Sequence, residues 1–306
     1  MRWHDRVYGD VAIEEPGILD LIGCPTFQRL KGVRQAGPSA LAFPFKNVTR
    51  FEHSLGVFLL LRRLGADPRE QVAGLLHDVS HTAFSHAVDF VISSREQDHH
   101  EQLKPLMLDR PDIVAALARL GYSPRDFYDD SVYPLLEQPL PSLCADRLDY
   151  FLRDGLACGV VKAEAAARIL GHTAVWDQQM ILTDIAVARE AVSLYKLMNQ
   201  DWWASPTEAY IYNEFAHTLR EGLRIGILRP DDLMTEDDLV LAKLDAAENP
   251  EISRTLARIR HFRPESAKGY IPRVVPKERW LDPHVRSGRS VERLSMLENR
   301  DESRSQ

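Results

Sequence analysis

Leu75-Leu76-His77-Asp78-Val79-Ser80-His81-Thr82-Ala83-Phe84-Ser85-His86-Ala87-Val88-Asp89 is the stretch whose reading decides the fold of this 306-residue chain. It places three histidines and two aspartates directly after the apolar run Val72-Ala73-Gly74-Leu75-Leu76. An adjacent His-Asp pair offers one imidazole nitrogen and one carboxylate oxygen to a single cation. That donor mix suits Mn, Fe, Co, Ni or Zn, and Mg where oxygen and water ligands dominate. His81 follows His77 by four residues, so on a continuing helix both share one face. The competing reading is a surface histidine cluster, or core histidines satisfied by carbonyls. A mononuclear metal site needs ligands from elsewhere in the chain to displace it.

Two places supply candidates. Arg50-Phe51-Glu52-His53 puts Arg50 and His53 at i and i+3, on one helical face. Further on, Asp146, Tyr150 and Asp154 recur every four residues and form one polar stripe. Each has a bland reading by itself: a cap, a satisfied core histidine, a solvated face. Taken with the central stretch, the bland reading requires three unrelated coincidences.

Composition narrows the class. Hydrophobic content of 44% and charged content of 27% are those of a soluble globular protein. A net charge of −7 carries no footprint for nucleic acid or a membrane surface. Cys24, Cys144 and Cys158 are odd in number and form no C-x-x-C pair, so neither a zinc knuckle nor a disulfide framework is implied. Met1-Arg2-Trp3-His4-Asp5 lacks an apolar signal segment, and no run of about 18 apolar residues occurs. A cytoplasmic location is the expectation.

Helical periodicity runs through most of the chain. Thr49 is placed to cap a helix from Arg50 to about Leu64, and Pro68 to start one through His77. Helical patterns follow at 83–93, 98–108, 111–120, 143–153, 185–200, 207–225, 236–246 and 250–261. Residues 173–183 read as a small hairpin. The class is all-α, a helical bundle with a minor β-hairpin element. We divide it into a core at 1–165, a helical subdomain completing the cleft at 166–262, and an extended arm and tail at 263–306, frayed from 286. Trp280, beside Leu281, is expected to anchor the arm to the body or to a second subunit of a homo-oligomer. Ten Lys/Arg against seven Asp/Glu in 263–306 is a small excess, which favours a solvated arm over a nucleic-acid contact.

Beyond these patterns, the chain resembles the HD-domain phosphohydrolases, and within them the deoxynucleoside triphosphate triphosphohydrolases that include the sterile-alpha-motif-and-HD-domain protein. The likeness is carried by Phe27-Gln28-Arg29-Leu30, Gln35, Thr49-Arg50-Phe51-Glu52-His53-Ser54-Leu55-Gly56-Val57, His77 through His86, His100-Glu101 and Asp146-Arg147-Leu148-Asp149-Tyr150. It implies an HD-domain bundle in which His53, His77, Asp78 and Asp146 hold one divalent metal. It also implies that Arg50 contacts phosphate and that His81, His86, Asp89 and His100 flank the scissile phosphorus as polarising groups and proton carriers. Gln35, Tyr150 and Asp154 would meet the sugar.

The chain departs from that pattern at Ser80, at Ala36 and in the helix after Leu194-Tyr195. There Lys196 is the one cation before Pro206, and Asp201 would repel outer phosphates. The expected activity is metal-dependent phosphohydrolysis of a nucleotide, with a (deoxy)nucleoside triphosphate first. A nucleoside monophosphate, a guanosine signalling nucleotide, or a binding module with little turnover are the alternatives. Arginines of the arm are one source from which missing phosphate cations would come.

Overall fold

The computed structural model describes residues 1–92 and 99–304. The ends of the expected helices 83–93 and 98–108, and residues 305–306 of the tail, lie outside the described residues. A hairpin of β1 (Arg2–Asp5) and β2 (Gly9–Ala12) leads into α1 (Pro16–Gly23), α2 (Pro25–Gln28) and the short α3 (Ser39–Ala42). Then come α4 (Arg50–Arg63), α5 (Pro68–Leu76), α6 (Ala87–Ile92), α7 (His99–Leu108), α8 (Pro111–Arg119), α9 (Ala145–Ala157) and α10 (Ala163–Gly171). The second half holds β3 (Thr173–Trp176), β4 (Gln179–Leu182), α11 (Ile185–Met198), α12 (Pro206–Arg224), α13 (Asp237–Asp245) and α14 (Pro250–Arg260). The chain closes with β5 (His284–Ser287), β6 (Ser290–Arg293) and α15 (Leu294–Arg304). No helix among the described residues is long and apolar enough to cross a membrane.

The central helix is α4, packed between α5 and α9. Its start is a reciprocal cap: Glu52 N donates to Thr49 Oγ1 and Thr49 N donates to Glu52 Oε2, each at 3.2 Å. His53 through Leu61 are all buried, so this helix has no solvent face over its middle turns. Gly56 lets α9 approach. A Cβ there would collide with the Asp149 carboxylate and the Arg153 guanidinium.

Two features of the central stretch differ from the expected continuous helices. α5 ends at Leu76, with His77 as its C-cap, so His77 and Asp78 sit where the backbone turns away. Phe84 and Ser85 then adopt φ of 60° and 53°, a left-handed conformation that delays α6 until Ala87. Asp237 holds this turn from a distant part of the chain: its carboxylate accepts from Phe84 N at 2.6 Å and from Arg34 N at 3.0 Å. Phe84 meanwhile packs on Phe215 of α12.

The minor β element is larger than the expected hairpin. β3 and β4 pair through the two-residue turn Asp177-Gln178, both at positive φ. β5 adds to β4 in parallel, and β6 to β5, giving a four-stranded sheet in the order β3-β4-β5-β6. The reading of 286–306 as frayed is thereby corrected for residues 286–304. Val285, Leu294 and Leu297 are buried in the same apolar core as Leu21, Phe58 and Phe151. Four-residue strands whose partners lie about a hundred residues away leave no periodic trace in the sequence. Residues 270–283 carry no helix or strand, as expected for an arm, but within the chain it is Leu281, 6% exposed, that enters the core there, while Trp280 is 56% exposed.

Candidate metal centre and substrate cleft

The breaks in the backbone decide what the central stretch can do. His77 caps α5 and donates Nδ1–H to Gly74 O at 2.7 Å, which leaves its Nε2 bearing a lone pair. His53, one helical turn into α4, donates Nδ1–H to Asp149 Oδ1 at 2.8 Å, so in the neutral ring its Nε2 is likewise a lone-pair atom. These two Nε2 atoms face each other at 3.1 Å, and Asp146 Oδ1 lies 2.9 Å from one and 3.4 Å from the other. Three acceptor atoms converge on one point. Adjacent donors around a cation with bonds of about 2.0–2.2 Å stand roughly 3 Å apart, so a divalent metal fits this donor set. Asp78 is set back slightly, its oxygens 3.6 Å from each Nε2. His53, His77, Asp78 and Asp146 are therefore gathered from α4, the end of α5 and the first turn of α9.

Electrostatics agree with that geometry. Burial opposes a charge on His53, but hydrogen bonds to Asp146 and Asp149 outweigh it and lift the imidazole to about 10. A proton takes the place that a cation would fill. Burial pushes Asp78 up, yet Arg50, His77 and His81 together hold it well below the usual carboxylate range.

Arg50 donates Nη1 to Asp78 Oδ2 at 2.7 Å and Nε to Ser85 Oγ at 3.0 Å. Ser85 Oγ in turn donates to Arg34 O at 2.7 Å. Around this arginine lies the second histidine group. His81 Nε2 is 3.1 Å from Asp78 Oδ1, and its ring stacks on His100 at 4.1 Å. His86 packs edge-on to both and bonds Asp89 Oδ2 through Nδ1 at 3.0 Å. Burial, with the Arg50 charge nearby, depresses His81, and does the same for His86 despite its bond to Asp89. Burial beside His86 takes His100 down to about 3. A neutral imidazole offers one N–H donor and one lone pair, so each can accept a proton and afterwards pass it on.

Both groups open into one cleft of about 1040 Å³, lined by Arg50, His77, Asp78, His81, His86, His100 and Asp146. Gln35, Tyr150 and Asp154 line the same cleft. Asp154 accepts from Gln35 Nε2 at 2.9 Å and from Trp203 Nε1 at 3.0 Å, while Tyr150 and Tyr195 share a hydroxyl hydrogen bond of 2.6 Å. His53 and Asp89, 1% and 2% exposed, stand behind the lining. The polar stripe at Asp146, Tyr150 and Asp154 is thus a cleft wall and not a solvated face.

Sequence reasoning missed several participants. Asp149 orients His53 and is itself fixed by Arg153 at 2.9 Å and by Tyr8 at 2.8 Å. Its spacing of three from Asp146 was the available signal. Lys46 also reaches the cleft, but as a buried pair with Glu208 at 2.9 Å, stacked over Trp202. Lys277 enters from the arm beside Arg279, one of the arm arginines expected as a source of cations. The expected repulsion from Asp201 is corrected: Asp201 is exposed, outside the lining residues.

Comparison with known proteins bears on the same residues. The HD domain family model matches residues 50–154, from Arg50 through Asp154. The uncharacterized protein YdhJ of Bacillus subtilis is 41% identical over 261 residues, covering 85% of this chain and 80% of its own. The metal-dependent phosphohydrolase cns2 of Cordyceps militaris is 33% identical over 290 residues, covering 92% and 84%. A deoxynucleoside triphosphate triphosphohydrolase SAMHD1 homolog of Dictyostelium discoideum is 23% identical over 331 residues; the match spans 90% of this chain and 62% of that one. Those matches fall on a chain whose paired histidines and aspartate form a candidate metal-holding cluster at one large cleft, and it belongs to the HD-domain metal-dependent phosphohydrolases.

Proposed function

We propose that the chain hydrolyses a nucleotide, with a (deoxy)nucleoside triphosphate as its first substrate class. One observation carries this reading: His77 and Asp146 of the converging donors, with His53 directly behind them, the neutral histidine group and the Gln35–Asp154–Trp203 hydrogen-bond set meet at one cleft of about 1040 Å³. That volume accommodates a nucleoside with its phosphates. His53, His77 and Asp146, with Asp78 set back, would hold the divalent ion. The ion supplies charge neutralisation at phosphate oxygens and lowers the pKa of water. Arg50 then has a second duty: swinging from Asp78 toward a phosphate oxygen, its fork binds two oxygens at once. His81, His86 and His100, neutral at rest through burial, would take up at a ring nitrogen the proton that the attacking water gives up and pass it to the leaving oxygen, and Asp89 fixes the His86 tautomer. The Asp154 carboxylate, held by Gln35 and Trp203, accepts from a sugar hydroxyl.

A nucleoside monophosphate is the second reading, and the ion pairs favour it. Lys46 is committed to Glu208 and Lys104 to Asp130, so two lining cations are already neutralised. The deciding experiment is product analysis on metal-loaded protein with one deoxynucleoside carrying one, two or three phosphates. Release of triphosphate supports the first reading, and turnover of the monophosphate alone supports the second. His77→Ala is expected to lose the bound metal and all turnover together. Full metal occupancy in that variant removes the assignment of the centre.

A further inference from the structure

The arm residues are irregular in backbone yet held at several points. Asn213 of α12, itself 5% exposed, uses its whole amide to clip them: Nδ2 donates to Val274 O at 2.8 Å, and Oδ1 accepts from Arg273 N at 3.1 Å and Val274 N at 3.0 Å. Val274 is buried against Phe90, Tyr212 and Ala216. Five residues later, Arg279 N donates to Asn199 Oδ1 at 2.9 Å, in the π-helical turn that ends α11. Leu281 then enters the core, and Asp282 N donates to Pro141 O at 2.9 Å. Between these fixings, Pro276, Lys277 and Arg279 line the same cleft as His77 and Asp78.

Two lining cations have no acidic partner among the described residues, the exposed Lys277 and the half-buried Arg279, and Arg279 is the one whose backbone is pinned to Asn199. Its Nη1 donates to Lys277 O at 3.1 Å. Its charge bears on Tyr150, Tyr212 and His86, which belong to different walls of the cleft. By contrast Arg50, Lys46 and Lys104 each have an acidic partner. A guanidinium held over a cleft without a counter-charge is arranged for an anion that arrives from outside, and its planar fork matches phosphate oxygens.

We infer that residues 273–282 form a strap over the substrate cleft and that Arg279 is a specificity-determining residue binding phosphate oxygens of the substrate. This rests on the nucleotide reading above for the identity of the phosphate, but not for its presence. Asn199 and Asn213 are positioning residues that fix the strap's path.

The test is calorimetric titration of inorganic pyrophosphate into the full chain, comparing wild type with Arg279→Ala, Arg279→Lys and Arg289→Ala. Arg289, exposed on the β5–β6 turn and outside the cleft lining, controls for net charge. Arg279→Ala is expected to weaken binding by roughly tenfold or more, the loss of a charge-assisted hydrogen bond. Arg279→Lys should recover part of the affinity, and Arg289→Ala should match wild type. In kinetics on deoxyadenosine mono-, di- and triphosphate, Arg279→Ala should raise KM with kcat nearly unchanged. Equal pyrophosphate affinity in wild type and Arg279→Ala, or no binding by wild type, overturns the inference. A wild type that hydrolyses no nucleotide, yet whose pyrophosphate binding depends on Arg279, removes the nucleotide reading and upholds the strap. Nucleotide turnover with KM untouched by Arg279→Ala does the reverse.

Discussion

His53 and His77 are each committed at Nδ1, one to a buried carboxylate and the other to a backbone carbonyl, so their Nε2 atoms compete for one positive charge. In the absence of metal that charge is a proton. His53 is lifted to about 10, and His77 is also raised, because Asp78 and Asp146 outweigh its burial. A histidine whose folded pKa exceeds its unfolded value of about 6.5 contributes stability that is complete below 6.5 and lost as pH rises through the folded value. Metal-free protein should therefore lose melting temperature between roughly pH 7 and pH 10, whereas the metal-loaded form, with a cation replacing the proton, should change less over that window. Melting curves of chelated and metal-saturated protein at stepped pH check this, and parallel profiles would contradict it. The depressed histidines, His81, His86 and His100, have the opposite sign: they remove stability as pH falls below the ordinary imidazole range.

Among the elements, α4 and α9 form the frame of the centre, and the distance between them depends on Gly56. Asp149 and Arg153 cross α4 where that glycine offers no side chain, with Arg153 fully buried between Asp149 and Asp5. Gly56→Ala forces this ion-paired group away from His53. The expected cost is about 1–3 kcal/mol of overpacking, with weaker metal binding because Asp149 orients a ligand. Gly23→Ala, where nothing lies within 4 Å of the added carbon, is the matched control and should be neutral. Denaturant titration and metal titration on both variants decide it; an unperturbed Gly56→Ala would mean that α9 has room to shift. The same frame ties the cap on α4 to the candidate site: Arg50 is its first residue and His53 its fourth, so Thr49 and Glu52 set the direction from which both side chains enter.

At the scale of the whole molecule, the last strands and helix close the core from the far end of the chain. Val285 pairs beside Leu182, and Leu294 and Leu297 bury against the body, 3% and 8% exposed. Leu294→Ala should cost about 2–5 kcal/mol, typical of a buried leucine truncation, and shift the denaturation midpoint measured by far-ultraviolet circular dichroism. A solvated tail would show no shift. The sequence by itself determined the local chemistry here: which residues offer donors of the kind metals take, that a helix begun at Pro68 leads into His77 and Asp78, that Thr49 caps another, and that Asp146, Tyr150 and Asp154 share a face. Those follow from spacing along one element, where backbone geometry alone sets which side chains are neighbours. Only the tertiary structure decided that Asp149, 96 residues from His53, orients it. It alone placed Asp237 under the Phe84 turn, 153 residues away, and Arg279 over the cleft, pinned 80 residues from Asn199. Contacts of that span come from long-range packing, and neither periodicity nor turn chemistry encodes which distant segments meet.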